Sequence, residues 1–423
     1  MERINNDPNG TSSASEYDVK YVHIYTYNSE LPVDITKMVN YVEIYESIYS
    51  PFLTVNINIT DTLSLNHVLP MIGEEFVELD IRGPDNTTGI IKQAFYVYKL
   101  SDRIAAGDKV YTYTLNCISP AAIVDMNLKI SQAISGQPSD IVESKFAKNS
   151  LAIQKKVYSH PTKNLTSYIS NYWSPMQNIR YLCDRAVSRD TGSASYIFYE
   201  TKKQYNFVPL DALVNQEVNF TYFHMPNTHA TGIAQQQSII HKLYVDESFN
   251  YINRIMDGAY GNRTLSVNPT RKSYNYNYYD FLESYEKFSR LNTLPFATDN
   301  APRRINSVFR MRTVPSSTMP NMANERSDDW YRQRLTEMSA INSQTINMDV
   351  IGRFNLYAGN TIEVVVPITT VTESESSENS MRSAFDRTLS GRYLVTGLKH
   401  MLTRERHTMS IQASKDSIIS VKG

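Results

Sequence analysis

Catalytic and cofactor signatures are missing from this 423-residue sequence, which contains no GxxxxGK[ST], no GxGxxG after a strand pattern, no HExxH, no GxSxG and no CxxC. Phosphate cradles, dinucleotide folds, helical zinc sites and nucleophile elbows therefore have no support, and no cofactor is expected. Cysteine is scarce: Cys117 and Cys183 are the only two, too few for a disulfide framework, and both read as small core fillers in a reducing compartment. No run of eighteen or more apolar residues occurs, which excludes a helical membrane span. The start, Met1-Glu-Arg-Ile-Asn-Asn-Asp-Pro-Asn-Gly10, has no apolar stretch of the signal-peptide kind, so a soluble chain made and kept in the cytosol is expected. An excess of one charge is lacking too, with 42 Lys and Arg against 43 Asp and Glu. No whole-chain field favours nucleic acid or an anionic membrane.

Tyrosine, in contrast, is abundant at 30 residues. It buries a large ring while keeping a polar tip, which suits strands and subunit interfaces that face water before assembly. The length is too great for one ordinary core, and two to about four domains are expected.

Two distant stretches read as one β unit written twice. The first runs Gly73 to Ile81, resumes from Ala94 to Ile104, turns at Ala105 to Asp108 and returns from Lys109 to Cys117. The second runs Gly359 to Ile368, resumes from Gly391 to Met401, turns at Arg404 to Arg406 and returns from His407 to Lys415. Order and strand lengths match although identity is low. A duplicated barrel lets few subunits present a ring with twice as many equivalent faces, so the repeat points to assembly geometry more than to catalysis.

Around these units the pattern sets boundaries. Residues 1–18 are polar and read as a disordered arm, and 19–118 as a first antiparallel barrel of Tyr-, Val-, Ile- and Thr-rich strands. Residues 119–215 read as an α+β domain. Ser119-Pro120 opens a helix of about four turns through Ile123, Met126, Ile130 and Ile134 to Gly136, and Pro138 opens a second carrying Ile141, Val142 and Phe146. Ser174-Pro-Met-Gln177 is a capping box ahead of Ile179, Leu182, Cys183 and Ala186, followed by the hairpin Tyr196–Glu200 and Tyr205–Leu210. Residues 216–345 are mixed: part second barrel, part irregular, with a short helix over Phe249, Ile252 and Met256 stopped at Gly258 and a strand carrying Tyr274, Tyr276 and Tyr278. Residues 346–423 read as a second barrel with a flexible acidic loop at 369–387. The fold class is thus α+β, mainly β: two homologous antiparallel barrels with an inserted α+β domain.

Three groups of polar residues invite a chemical reading. His224 and His229 are near neighbours, but Pro226 interrupts a helical face and no further ligand adjoins, so surface-loop histidines are the better reading. Glu74, Glu75, Glu78 and Asp80 cluster on one strand, where alternate residues face opposite ways, so they read as a solvated face before a carboxylate pair for glycoside hydrolysis. Arg303, Arg304, Arg310, Arg312, Arg326, Arg332 and Arg334, interleaved with Phe309, Trp330 and Tyr331, form the one basic concentration. With Glu325, Asp328, Asp329 and Glu337 beside them they read as a solvated arm or a protein-docking patch, centred on Arg303, Arg304, Arg310, Arg312, Trp330 and Arg332, rather than a nucleic-acid site.

The order of three stretches resembles a known family, the baseplate hub proteins under the tail tube of contractile-tailed bacteriophages, related to the base of type VI secretion spike proteins. Gly73-Glu-Glu-Phe-Val77 and its hairpin resemble the first tube domain; Ser174-Pro175, Ile179, Leu182, Arg185-Ala186, Tyr196–Glu200 and Phe207–Leu210 resemble the helix-then-hairpin insert; Gly359–Ile368, Ser390–Thr396 and Ser410–Ser417 resemble the second tube domain. The resemblance implies a homotrimer whose two tube domains per subunit make a pseudo-six-fold ring. Such a ring joins the hexameric tail tube, or a tube initiator, to a trimeric spike in the virion tail baseplate, assembled in the host cytoplasm. DNA would pass through unbound, and Glu74, Glu75, Glu78 and Asp80 become candidate lumen-facing positions, beside the reading that they face outer solvent. The alternatives are a peptidoglycan-degrading component, which predicts clearing of cell-wall substrate, and a receptor-binding tail-tip component, which predicts carbohydrate or whole-cell binding.

Overall fold

The computed structural model describes residues 14–419 except 27–30, 64, 66–70, 84–89, 108–109, 226–231, 270–271, 297–307, 314–326 and 369–384. The first half is built from six strands: β1 (Asp18–Tyr25), β2 (Val39–Ser47), β3 (Thr54–Asp61), β4 (Phe76–Arg82), β5 (Ile90–Gly107) and β6 (Val110–Ile118). Strict alternation drives them. On β3, Val55, Ile57 and Ile59 point inward to meet Val42, Ile44, Val77, Leu79, Phe95 and Leu115 in one core, while Asn56 and Asn58 face away. The spatial order is β1-β4-β5-β6-β3-β2, every pair antiparallel.

The next segment departs from the sequence pattern in one place. Helix α1 (Pro120–Asn127) is eight residues long, and Ile130 and Ile134, expected on the same helix, instead bridge Trp173 and pair with Tyr168. A spacing of four satisfies a strand face as well as a helix face, and tertiary pairing chose the strand. Pro138 opens a helix as expected, but Ile141–Ser150 winds as a π-helix that buries Ile141, Val142, Phe146 and Ala147. Beyond it lie β7 (Lys156–Ser159), α2 (Pro175–Cys183), β8 (Tyr196–Glu200) and β9 (Gln204–Pro209). The capping box on α2 forms in full between Ser174 and Gln177, and Ile179, Leu182 and Cys183 sit in a second core with Phe198 and Phe207.

The remaining strands are β10 (Phe220–Phe223) and β11 (Ile240–Glu247), then after helix α3 (Tyr251–Asp257) β12 (Gly261–Asn268), β13 (Ser273–Asp280) and β14 (Phe309–Thr313). Helix α4 (Ser327–Ala340), which the sequence pattern did not mark, leads into β15 (Gln344–Ile351), β16 (Thr361–Val365), β17 (Gly391–Thr403) and β18 (His407–Lys415). Gly258 ends α3 at φ 78°, as the sequence predicts, and Asn250 caps its start, but Phe249, Ile252 and Met256 stay exposed. Strands β12, β13 and β14 form a separate sheet in the order β13-β12-β14, and Asn262 of β12 hydrogen-bonds to Arg332 and Thr336 of α4.

The second half repeats the strand order of the first, as β10-β16-β17-β18-β15-β11. The match holds residue by residue. Val55, Ile57 and Ile59 face Cys117, Leu115 and Tyr113, as Ile346, Met348 and Val350 face Ala413, Ile411 and Met409. The register slips at Val97/Lys99 on β5 and at Val395/Gly397 on β17, and again at Val39/Tyr41 on β2 and Ile240/Lys242 on β11, so these bulges correspond, while further slips at Ser101/Ile104 and Ala105/Gly107 on β5 and at Val245/Glu247 on β11 have no counterpart on β17 and β2. One pair breaks the repeat: β10 runs parallel to β16, whereas β1 is antiparallel to β4.

Two separately closed barrels are not what hydrogen bonding forms. Strand β17 outruns β16, and its flank from Gly397 to Thr403 pairs with Ser47 to Tyr41 of β2, fusing both halves into one 13-stranded sheet. Among the described residues that sheet is open, with β11 at one end and the two-residue strand Val33–Asp34 beside β1 at the other. Each half keeps its own core, that of the second half gathering Tyr222, Ile346, Met348, Ile362, Tyr393 and Ile411. The expected arm also ends early. Ala14 is buried, and the Ser15 carbonyl accepts from the His407 amide. The Tyr17 hydroxyl reaches the Thr403 carbonyl. Of the expected acidic loop, residues 369–384 lie outside the described residues.

Candidate assembly surfaces

The β8–β9 hairpin is wedged against both halves, and its tip carries a buried polar network. Glu200, at the end of β8, accepts from the Leu53 amide at 3.0 Å, Ser119 Oγ at 3.1 Å and Gln93 Nε2 at 3.2 Å, on or beside the first half, and from Lys155 Nζ of the insert at 2.7 Å. Two residues on, Lys202 Nζ lies 3.4 Å from Glu46 of β2, donates to the Leu356 carbonyl at 3.0 Å and contacts His400 Nε2 of β17. Glu46 also accepts from the Lys202 and Ala358 amides, each at 3.0 Å. One carboxylate thus touches the first half, the insert and the second half at once. Burial shifts the Lys202 ammonium pKa downward and that of His400 well below its ordinary value; His407, 2.9 Å from His400, is pushed down to about 3 by burial and the Lys202 charge. Both imidazoles are therefore neutral at pH 7. With Lys202 donating to Nε2, His400 carries its proton on Nδ1 and donates it to His407 Nε2. The parity of the strands marked these residues: Glu46 follows Val42 and Ile44, and His400 sits between Leu398 and Leu402, polar groups at core positions. Nothing in the sequence marked Lys202.

The four acidic candidates part company. Glu74 is exposed just before β4, but Glu75 is buried and its carboxylate accepts from the Ile72 amide at 2.7 Å and the Gly73 amide at 2.9 Å, shaping the turn at Gly73. Glu78 accepts from the hydroxyls of Tyr21 and Tyr25, each at 3.0 Å. Asp80 is buried against Arg82 in a two-pronged pair, 2.9 Å on each arm, and hydrogen bonding by that guanidinium holds its carboxyl below the usual range. Glu74 and Glu78 alone keep part of their carboxylates toward solvent.

The basic group is likewise dispersed. Arg303, Arg304 and Arg326 lie outside the described residues. Arg310 and Arg312 stand on β14, and Arg310 reaches the Tyr331 hydroxyl at 3.4 Å. Trp330 is buried on α4 against Val187 and Ala194, Arg332 donates to the Tyr278 carbonyl, and Arg334 bonds Asp184 at 3.0 Å and the Tyr196 carbonyl at 2.8 Å. Glu337 is held by both arms of Arg290 at 2.6 and 2.9 Å. Beside them β12, β13 and β14 expose Tyr274, Tyr276, Tyr278, Phe309 and Met311, with Arg263 set over Tyr276, Tyr278 and Phe309. The surface of β12–β14 beside α4 is thus aromatic, while Trp330 and Arg334 serve the fold.

A cleft of about 720 Å³ lies between α2, α4 and the β2–β3 turn. Its carboxylates are engaged, Asp125 by the Met176 amide at 2.6 Å and the Ser174 hydroxyl at 3.1 Å, and Asp184 by Arg334. The Cys183 thiol on its wall is pushed up to about 12 by burial. His224 lies next to β10, and His229 falls outside the described residues. Among the described residues no group of three His, Cys, Asp or Glu is placed to hold a metal ion, and no helix is long and apolar enough to cross a membrane.

No protein-family model matches the chain, and no curated protein matches its sequence. Solved structures do match its fold. A tail protein from Neisseria meningitidis MC58 superposes with a TM-score of 0.56 at 11% identity, covering 95% of this chain and 97% of that one. The 43 kDa tail protein of prophage MuSo2 from Shewanella oneidensis superposes with a TM-score of 0.54 at 9% identity, covering 94% and 98%. Over almost its whole length, this chain has the fold of these two tail proteins.

Proposed function

We propose that the chain is a structural hub of a phage tail baseplate, three copies of which make a ring of six near-equivalent β units. The hub would adapt a hexameric tail tube on one face to a trimeric spike on the other. The observation that carries this reading is the repeat itself: two halves with one strand order, matching core pairs and a corresponding bulge on β5 and β17. A repeat kept at this level while side chains diverge preserves backbone geometry, which a quasi-symmetric ring requires. Glu75, Asp80, Arg332, Arg334 and Glu337 are engaged in holding the fold, and the matching structures are tail proteins. The two halves, with the insert at 119–215, would be the two tube units and their buttress. The aromatic surface of β12–β14 would be the docking face toward a partner, and a lumen acidic at Glu74 and Glu78 would let DNA pass. Light scattering on the purified full chain at micromolar concentration tests the reading. A mass of three chains is expected, and a strictly monomeric mass, with and without a spike partner, would overturn it.

A further inference from the structure

The cleft between α2, α4 and the β2–β3 turn is one-sided in charge. Its two carboxylates are taken by the protein itself, Asp125 by the Met176 amide and the Ser174 hydroxyl, and Asp184 by Arg334. Two of its three cations are not. Lys129, just past α1, and Arg180 on α2 are exposed, and neither forms an ion pair or a side-chain hydrogen bond among the described residues. Burial raises the Cys183 thiol, and the guanidiniums of Arg334 and Arg180 act against that rise, so both fields reach the wall. The rest of the lining is largely apolar. Ile48, Ile179, Ile197 and Phe198 line it as buried side chains, and Met126 of α1, Met176 of α2 and Met338 of α4 join them from three separate elements. Thioethers on unbranched stems adapt to an irregular guest. The volume, about 720 Å³, falls in the range of about 300–1,000 Å³ in which proteins hold small ligands.

We propose that this cleft binds the C-terminal tail of a partner protein: a few apolar residues seated among the methionines and isoleucines, ending in a carboxylate received by Lys129 and Arg180. Charge complementarity selects the anion, and the lining selects its body. A phosphate chain would set most of its charge against Met, Ile and Phe, at a desolvation cost that two cations do not offset. A terminal carboxylate meets the cations without a chain that must continue past them. A peptide, unlike an acyl chain, also needs partners for its amides, and the cleft has them. Gln177 gives its carbonyl oxygen to the Ser174 amide and keeps its Nε2 donors, while the Tyr49 hydroxyl donates to Asn342 and can still accept. An acyl chain would leave both unused. The inference does not depend on the ring reading, because every lining residue comes from one chain.

The test is fluorescence anisotropy on the full chain with fluorescein-labelled pentapeptides of Leu, Ile, Phe and Met, each made both with a free C-terminal carboxylate and as the amide. The acids should bind saturably at or below about 1 mM, and the amides at least about tenfold more weakly, the loss expected when a hydrogen bond to a charged group is removed. Lys129→Ala combined with Arg180→Ala should bring the acids down to the level of the amides. Met126→Ser should weaken both forms severalfold. All three side chains are exposed, so these variants are expected to fold. Equal binding of acid and amide, binding that either variant leaves unchanged, or no binding of any peptide up to about 1 mM would overturn the proposal. Dodecanoate serves as the competitor: if it binds where no peptide does, the cleft is an acyl-chain site and the peptide assignment falls. Should a variant misfold, salt decides on the wild-type chain. The advantage of acid over amide should shrink as NaCl rises from about 0.1 to about 1 M, and an advantage unmoved by salt would overturn the role of the two cations. Light scattering reports on the ring separately, so either reading can fail alone.

Discussion

At the scale of the residue, the buried polar groups explain how a sheet this long holds together at its middle. His400 and His407 stack against Phe354 with Lys202 at one end of the pair, and Gly352 packs so closely that a Cβ there would fall 2.2 Å from the His407 ring. Neither imidazole can gain a proton without placing a second cation beside the Lys202 ammonium in a dry site. The folded-state pKa of each histidine is depressed, so each contributes stability that is present above about pH 6.5 and is lost as pH falls toward the folded value, about 3 for His407. The urea midpoint is therefore expected to fall between about pH 6.5 and about pH 4.5, a window that lies above the ordinary carboxylates. A midpoint flat over that window would show that the pair is not buried in neutral form.

Among elements, β17 and the β8–β9 hairpin matter most. Strand β17 belongs to the second half by its first residues and to both halves by its last, and the hairpin tip locks the joint through Lys202 and Glu46. Replacing Glu46 by alanine leaves Lys202 as an uncompensated buried cation and strips the Lys202 and Ala358 amides of their acceptor. A loss of about 3–5 kcal/mol in unfolding free energy is expected, measured by urea denaturation, with a smaller loss when Lys202→Met is combined with it. Equal losses in the single and double variants would mean that the cation is not what the carboxylate holds. Surface pairs such as Lys148 with Glu143, exposed on α-helical or π-helical turns, contribute far less.

For the whole molecule, the near balance of charge, net −1, fits a conduit better than a clamp. A ring that grips phosphate would hold what it should let through, because each cationic contact with the backbone adds affinity and a counterion-release term. Purified assembled protein is expected to leave a linear duplex unshifted on a gel at about 0.15 M salt. Retention that falls steeply with added salt would show a lumen lined with Lys and Arg and would remove the reason for placing Glu74 and Glu78 there.

How much of this was legible beforehand follows from the range of each interaction. Alternation of Val, Ile and Tyr with Asn and Thr determined the strands, proline and glycine determined helix α2 and the end of α3, and two stretches of matching strand pattern disclosed the repeat, because each of these patterns is written within a few neighbouring residues. The same local code misassigned Ile130 and Ile134, whose spacing suits helix and strand alike, and did not mark α4. It grouped Glu74, Glu75, Glu78 and Asp80 as one face, although the Gly73 turn takes Glu75 and Arg82 takes Asp80. Tertiary structure alone decided that Ser47 to Tyr41 pairs with Gly397 to Thr403, that Lys202 meets both Glu46 and His400, and that among the described residues no strand pairs with the outer edge of β11. Pairing between strands far apart in the chain is set by which edges remain unsatisfied once each half has formed, and backbone hydrogen bonds carry no residue code by which a sequence could announce it.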